Sequence, residues 1–208
     1  MKKSLIALPI LALFSIQAFA EVSGNVSVTS DYIFRGLSQT NSQAAIQGGI
    51  DYTNESGFYT SIWVSNTDFD GSGSSGAEVD LIGGFSGTSG DFGYDVGFIS
   101  YQYPKLEDSL EEVYLGISYK VAGLTYYYDW DNEASYIDGS LGFEINESVS
   151  SSLHIGSADF DGGGDYIDYG ASVSKSFKDM SFTLGISQTD INNDDVSVYV
   201  SWGTEFGF

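Results

Sequence analysis

The last thirteen residues, VSVYVSWGTEFGF, separate by parity. Val196, Val198, Val200, Trp202, Thr204, Phe206 and Phe208 occupy one set of positions. Ser197, Tyr199, Ser201, Gly203, Glu205 and Gly207 occupy the other. An extended strand sends alternate side chains to opposite faces, so this segment has one apolar face and one small or polar face. The same alternation occurs at roughly 22–34, 44–52, 58–66, 78–86, 92–101, 112–119, 124–130, 136–145, 149–157, 166–175 and 180–187. That makes twelve strands, most of them as long as a tilted strand needs to cross a hydrocarbon layer. The pattern predicts an all-β, transmembrane antiparallel β-barrel of about twelve strands with up-and-down topology, over residues 21–208.

Residues 1–20, MKKSLIALPILALFSIQAFA, read as a secretory leader. Two lysines precede a short apolar run, and Ala18-Phe19-Ala20 offers a small-residue cleavage site. No later apolar run reaches the length of a spanning helix, so a membrane location would depend on strands.

The connections also alternate. TNESG, GTSGD, KVAG, NES and SFKD are tight, whereas GLSQTNSQ, TDFDGSGSSGA, PKLEDSLE, DNEAS, DFDGGGD and TDINNDD are mostly longer and polar. Outer-membrane barrels have short periplasmic turns and longer outside loops, which predicts periplasmic termini here. Aromatics on the apolar face sort by the same ends. Tyr52, Phe58, Phe85, Phe92, Tyr119, Phe143, Phe182, Phe206 and Phe208 lie near tight turns, and Tyr32, Phe34, Phe98, Tyr128, Trp130 and Tyr169 near long loops. Two aromatic girdles are expected from rings that are apolar with a polar edge.

The other parity defines the candidate pore lining: Asp51, Glu78, Asp80, Asp95, Glu112, Asp129, Asp138, Asp168, Arg35, Tyr59, Trp63, Tyr101 and Tyr127. Carboxylates are costly against lipid, so their restriction to one face supports the assignment. The whole chain has seven basic and 29 acidic residues, net −22; loss of Lys2 and Lys3 with the leader makes this −24. Such a charge excludes nucleic acid as a partner. With one inward base, Arg35, an open passage would favour cations or neutral solutes over anions. Alternating polarity does not separate a channel from a plugged barrel, so a structural or adhesive surface protein with acidic loops is the alternative.

Two motifs have weaker readings. His154 is the only histidine and shares a face with Ser152. Outer-membrane hydrolases use a Ser–His or Asp–His pair, but i and i+2 on one strand are about 7 Å apart, which favours a hydrogen-bonded lining residue. DFDG occurs at 68–71 and 159–162, offering Asp68, Asp70, Asp159, Asp161 and Asp165 as oxygen ligands. The spacing lacks a full calcium loop, and acidic hairpin loops are the simpler reading.

The stretches VTSDYIFRGLSQTNSQAAIQGGIDYTNESGFYTSIWVSN, AEVDLIGGFSG, YDVGFISYQYP, EVYLGISY and DYIDYGASVSKSF resemble the TorF porin family, earlier catalogued as conserved proteobacterial proteins of unknown function. The resemblance covers nearly the whole mature chain and implies an outer-membrane barrel with a transport role. It brings no catalytic residue and no cofactor. Together these readings predict a porin-like channel in the cell outer membrane for passive diffusion of small polar solutes. Its expected partners are outer-membrane lipid, lipopolysaccharide and the barrel-assembly machinery, with Phe206 and Phe208 as the assembly signal by resemblance.

Overall fold

A computed structural model describes residues 21–208 apart from 70, 72–75, 107 and 193; the leader expected at 1–20 lies outside the described residues. The strands are β1 (Glu21–Thr29), β2 (Ile33–Phe34), β3 (Leu37–Ser38), β4 (Ala45–Thr53), β5 (Phe58–Thr67), β6 (Gly76–Ser89) and β7 (Phe92–Tyr103). They continue with β8 (Asp108–Tyr119), β9 (Ala122–Asp129), β10 (Ala134–Asn146), β11 (Val149–Phe160), β12 (Tyr166–Phe177), β13 (Met180–Thr189) and β14 (Ser197–Gly207). Among the described residues there is no helix. Twelve of the strands form a closed antiparallel barrel in which each follows its chain neighbour, and β2 and β3 form a separate two-stranded sheet. The seam joins β1 to β14 from Ser23↔Gly207 to Thr29↔Ser201, while β1 pairs β4 on its other side. Closure leaves no wall strand with an unpaired edge.

The barrel is inverted relative to a soluble one. Its buried apolar residues are tyrosines and alanines, without a buried Leu, Ile, Val or Phe among the described residues. Those types instead point outward, as with Ile46 at 68 % and Val198 at 61 % exposure, while Glu78 and Asp168 are 1 % and 0 % exposed. An outward apolar band with a polar interior is the arrangement of transmembrane barrels.

Local sequence sets the tight end. The NES triplet appears twice, and each time the asparagine amide oxygen accepts from the backbone two residues on: Ser56 N donates to Asn54 Oδ1 at 2.9 Å and Ser148 N to Asn146 Oδ1 at 3.0 Å. These are Asx turns, which mimic a backbone turn. Aromatics meet across strands at this end, Phe58 with Phe85 at 5.4 Å and Phe92 with Tyr119 at 4.7 Å. At the loop end Phe98 stacks on Trp130 at 6.0 Å.

The first predicted strand, 22–34, needs correction. β1 ends at Thr29, and the segment that follows turns into the barrel. Asp31 directs the change by accepting a 2.6 Å hydrogen bond from Ser38 Oγ, while Tyr32 N donates to Thr40 Oγ1 at 3.1 Å and Gln39 N to Tyr32 O at 2.7 Å. The resulting β2–β3 hairpin turns at Arg35 and Gly36, whose φ values are 48° and 83°. Two central residues with positive φ make the turn that best matches the twist of a hairpin. Tyr32 and Phe34, expected in the outward girdle, therefore face inward. Tyr32 meets Trp63 edge-on at 5.4 Å, and Phe34 meets Tyr101 at 5.9 Å. GLSQTNSQ, expected as an outside loop, begins within this excursion, with Gly36 and Thr40 buried, and ends exposed at Asn41, Ser42 and Gln43. The outward parity of Tyr32 and Phe34 was lost because the chain leaves the wall before reaching them.

Candidate functional site: the lumen and its hairpin

The wall strands place their acids and phenols on one surface because inward positions recur every second residue. Several tyrosines lie against the wall instead of projecting from it. Tyr59 is registered opposite Gly84, Tyr114 opposite Gly97 and Tyr199 opposite Gly185. A Cβ built on Gly84 or Gly97 would come within 2.5 Å of the phenol oxygen of Tyr59 or Tyr114. The missing side chains of the glycines thus make room for the rings.

The hairpin leaves the wall after β1 and reaches β8, which is five strands away by the shorter way around the twelve-strand ring and so nearly opposite. Arg35 Nη1 and Nη2 donate to Glu112 Oε1 and Oε2, each at 2.7 Å. Tyr101 OH donates to the same carboxylate at 3.1 Å. The guanidinium carbon lies 4.4 Å from the Tyr136 ring centre and 4.8 Å from those of Tyr127 and Phe34. A fork-to-fork pair aligned by a third donor is directional, and flat aromatic faces add cation–π attraction. On the other side, Tyr166 OH donates to Arg35 O at 3.1 Å. Arg35 was read as a lining residue of the first strand; it does reach the lumen, but from the hairpin tip.

A second cluster spans β10, β11 and β12. His154 Nδ1 contacts Asp138 Oδ1, and its Nε2 contacts Asp168 Oδ1. Tyr136 OH donates to Asp168 Oδ2 at 3.0 Å, so Tyr136 touches both this cluster and the Arg35 guanidinium. Ser152 Oγ instead bonds Ser172 Oγ at 2.8 Å. The Ser152–His154 pair is not formed; both ring nitrogens of His154 instead meet carboxylates, Asp138 and Asp168.

The remaining candidates fall into different local roles. Tyr59 OH donates to Asp95 Oδ1 at 2.6 Å and contacts the Tyr114 phenol. Asp51 accepts from Ser61 Oγ at 2.5 Å and from Asn25 Nδ2 at 3.2 Å. Glu78 Oε1 accepts from Tyr103 OH at 3.1 Å, whereas Glu78 Oε2 and Asp80 Oδ1 have no hydrogen-bond partner among the described residues. Asp129, expected in the lining, mainly caps the β9–β10 loop by accepting from Asp131 N, Asn132 N and Asn132 Nδ2. Trp63 and Tyr127 are half-buried, against Tyr32 and the Arg35 guanidinium respectively. A cavity of about 590 Å³ opens at the loop end between the hairpin and the β13–β14 loop, with Asp31, Ser38, Asp194 and Asp195 in its lining.

The DFDG motifs do not form a metal centre among the described residues. Asp70 of the first lies outside those residues. In the second, Asp165 Oδ1 accepts from Phe160 N at 3.0 Å, which closes the loop on itself. Sequence reasoning missed the hairpin and the double engagement of His154. The hairpin did have a signal in IFRGLS, where a residue–Gly pair separates two short apolar stretches. The histidine's partners come from separate strands and left no local pattern.

Comparison with known proteins bears on the family and on the fold. A family model described as "Bacterial protein of unknown function (Gcw_chp)" matches residues 16–206. No curated protein matches the sequence. Among solved structures, the KdgM porin superposes with a TM-score of 0.63 at 10% identity, covering 90% of this chain and 99% of its own. KdgM in complex with disordered oligogalacturonate gives 0.64 at 11% identity, with 90% and 99% coverage. The COG4313 outer membrane channel from Pseudomonas putida F1 gives 0.56 at 8% identity, with 97% and 100% coverage. At these identities the shared property is the fold.

Proposed function

The chain belongs to the Gcw_chp family of bacterial proteins of unknown function, and from that membership and the barrel's geometry we propose an outer-membrane, porin-like channel that passes small polar solutes and disfavours anions. The observation that carries this reading is the inversion of the barrel, with an apolar exterior and an interior of carboxylates and phenols. Among the inward charges, Arg35 is already neutralised by Glu112. Inward acids, Asp51 among them, still outnumber the inward bases Arg35 and His154, which favours a negative field along the path. Oligogalacturonate, named with the KdgM complex, is a polyanion that such a field would repel. A cationic or neutral solute fits this lumen better, and the tyrosine faces suit sugars or flat rings. The TorF resemblance supports the same transport class.

In this reading residues 1–20 direct export, and Phe206 and Phe208 present the terminus to the barrel-assembly machinery. Lipid covers the outward band and lipopolysaccharide surrounds the loop end. Reconstitution into planar bilayers under a salt gradient tests the selectivity. The reversal potential should lie on the potassium side, and one on the chloride side would refute the charge argument. Replacing Glu78 and Asp80 together by Gln and Asn should shift it toward zero.

The hairpin supports a second reading, because it contacts the wall on opposite sides of the ring. If it fills the bore permanently, the barrel is a surface scaffold whose acidic loops are its interaction face. Electrically silent bilayers, with binding to cells lost on loop deletion, would select that reading.

A further inference from the structure

Around Glu112 the wall and the hairpin stand to each other as a receptor does to its ligand. Glu112 lies on β8, and the groups that surround its guanidinium partner come from the neighbouring wall: Tyr101 on β7, Tyr127 on β9 and Tyr136 on β10. Four consecutive strands therefore hold a carboxylate in orientation between aromatic faces. The occupant, with Phe34 beside it on the same hairpin, is the part of this arrangement that does not belong to the wall. It sits at the tip of a hairpin that pairs with itself, and no wall strand loses a ladder partner when the tip withdraws.

We infer that the wall site formed by Glu112, Tyr101, Tyr127 and Tyr136 is a receptor for guanidinium and amidinium solutes, and that Arg35 is a tethered occupant with which they compete. The inference deepens the channel reading by naming a solute class for its lumen. The shape of the site distinguishes that class. Both Glu112 oxygens are met at 2.7 Å by two nitrogens of one planar group, an arrangement that a compact ammonium does not reproduce. The aromatic contacts at 4.4 and 4.8 Å likewise suit a flat cation. Tethering gives Arg35 a high effective concentration, on the order of millimolar for a short flexible link and higher for a folded hairpin. A free solute should consequently compete weakly in the wild type and well once the tethered group is removed.

The probe is methylguanidinium chloride, titrated calorimetrically into the full-length mature barrel in detergent. Arg35→Ala should bind it at least tenfold more tightly than wild type, and the double variant Arg35→Ala/Glu112→Gln should lose that gain. Methylammonium at equal concentration should bind Arg35→Ala at least tenfold more weakly than methylguanidinium. In bilayers, methylguanidinium should interrupt current through Arg35→Ala but not through the double variant. Arg35→Lys provides a second folded background that keeps the charge while lacking the fork. Absence of methylguanidinium binding in a folded Arg35→Ala or Arg35→Lys barrel overturns the inference, as does equal binding of methylammonium. Failure of both variants to fold would make Arg35 a structural brace and also overturn it. The two readings fail separately: calorimetric binding with silent bilayers refutes the channel and keeps the receptor, whereas conduction without binding does the opposite.

Discussion

Gly36 determines at a single position how the hairpin meets the wall. Its φ of 83° disfavours any residue with a side chain, and an added Cβ would come 2.5 Å from Asp168 Cβ and 2.7 Å from Thr189 Cγ2. Both contacts are to side-chain carbons close to the rigid wall, so neither can swing away easily. Gly36→Ala should therefore unseat the tip while leaving the barrel closed. The expected result is an increased single-channel conductance with unchanged heat-modifiable mobility on gels. An unaltered conductance would mean that the tip does not obstruct the path. At this scale the sequence was partly legible. Parity placed Asp80, Asp95, Asp138 and Asp168 on the inward face, but it did not reveal which acid caps a loop, as Asp129 does, or which engages a base from a distant strand. Those outcomes depend on register across strands, which one strand's alternation does not contain.

The strands themselves were legible because the two faces meet such different surroundings. Every predicted wall strand has a counterpart, and most ends agree within a few residues. The exception lies after Thr29, where Tyr32 and Phe34 continue the alternation although the backbone has left the wall. A hairpin and a wall strand share period two, so parity reads straight through the junction. Outward and inward substitutions provide an element-scale test. Leu184, near the middle of β13 and 57 % exposed, should cost about 2–4 kcal/mol when replaced by Arg, as expected for a charge placed against hydrocarbon. Ser172→Arg on β12, on the inward face, should cost clearly less. Urea titration of folding into lipid vesicles measures both, and equal costs would contradict the assignment of faces.

For the whole molecule, closure is the condition on which every wall element depends. Removing residues 198–208 would leave β1 and β13 with open edges, and no folded species should form in detergent or vesicles. A folded, heat-modifiable product would show that eleven strands suffice. Both ends of the barrel are acidic. At the tight end Glu55, Asp91, Glu147 and Asp179 stand beside Lys120 and Lys178, with Lys120 Nζ 3.7 Å from Asp91 Oδ2, while Asp131, Glu133, Asp159, Asp161, Asp165 and Asp190 crowd the loop end.

The seam has a consequence beyond the wall itself. Immediately beyond the last β1–β14 pair, Ser30 N donates to Val200 O and Val200 N donates to Ser30 Oγ, both at 2.9 Å. The root of the inward excursion is thus clasped by the strand that closes the ring. Wall and stopper share one fastening, so a slip of the seam would also loosen the hairpin at its base.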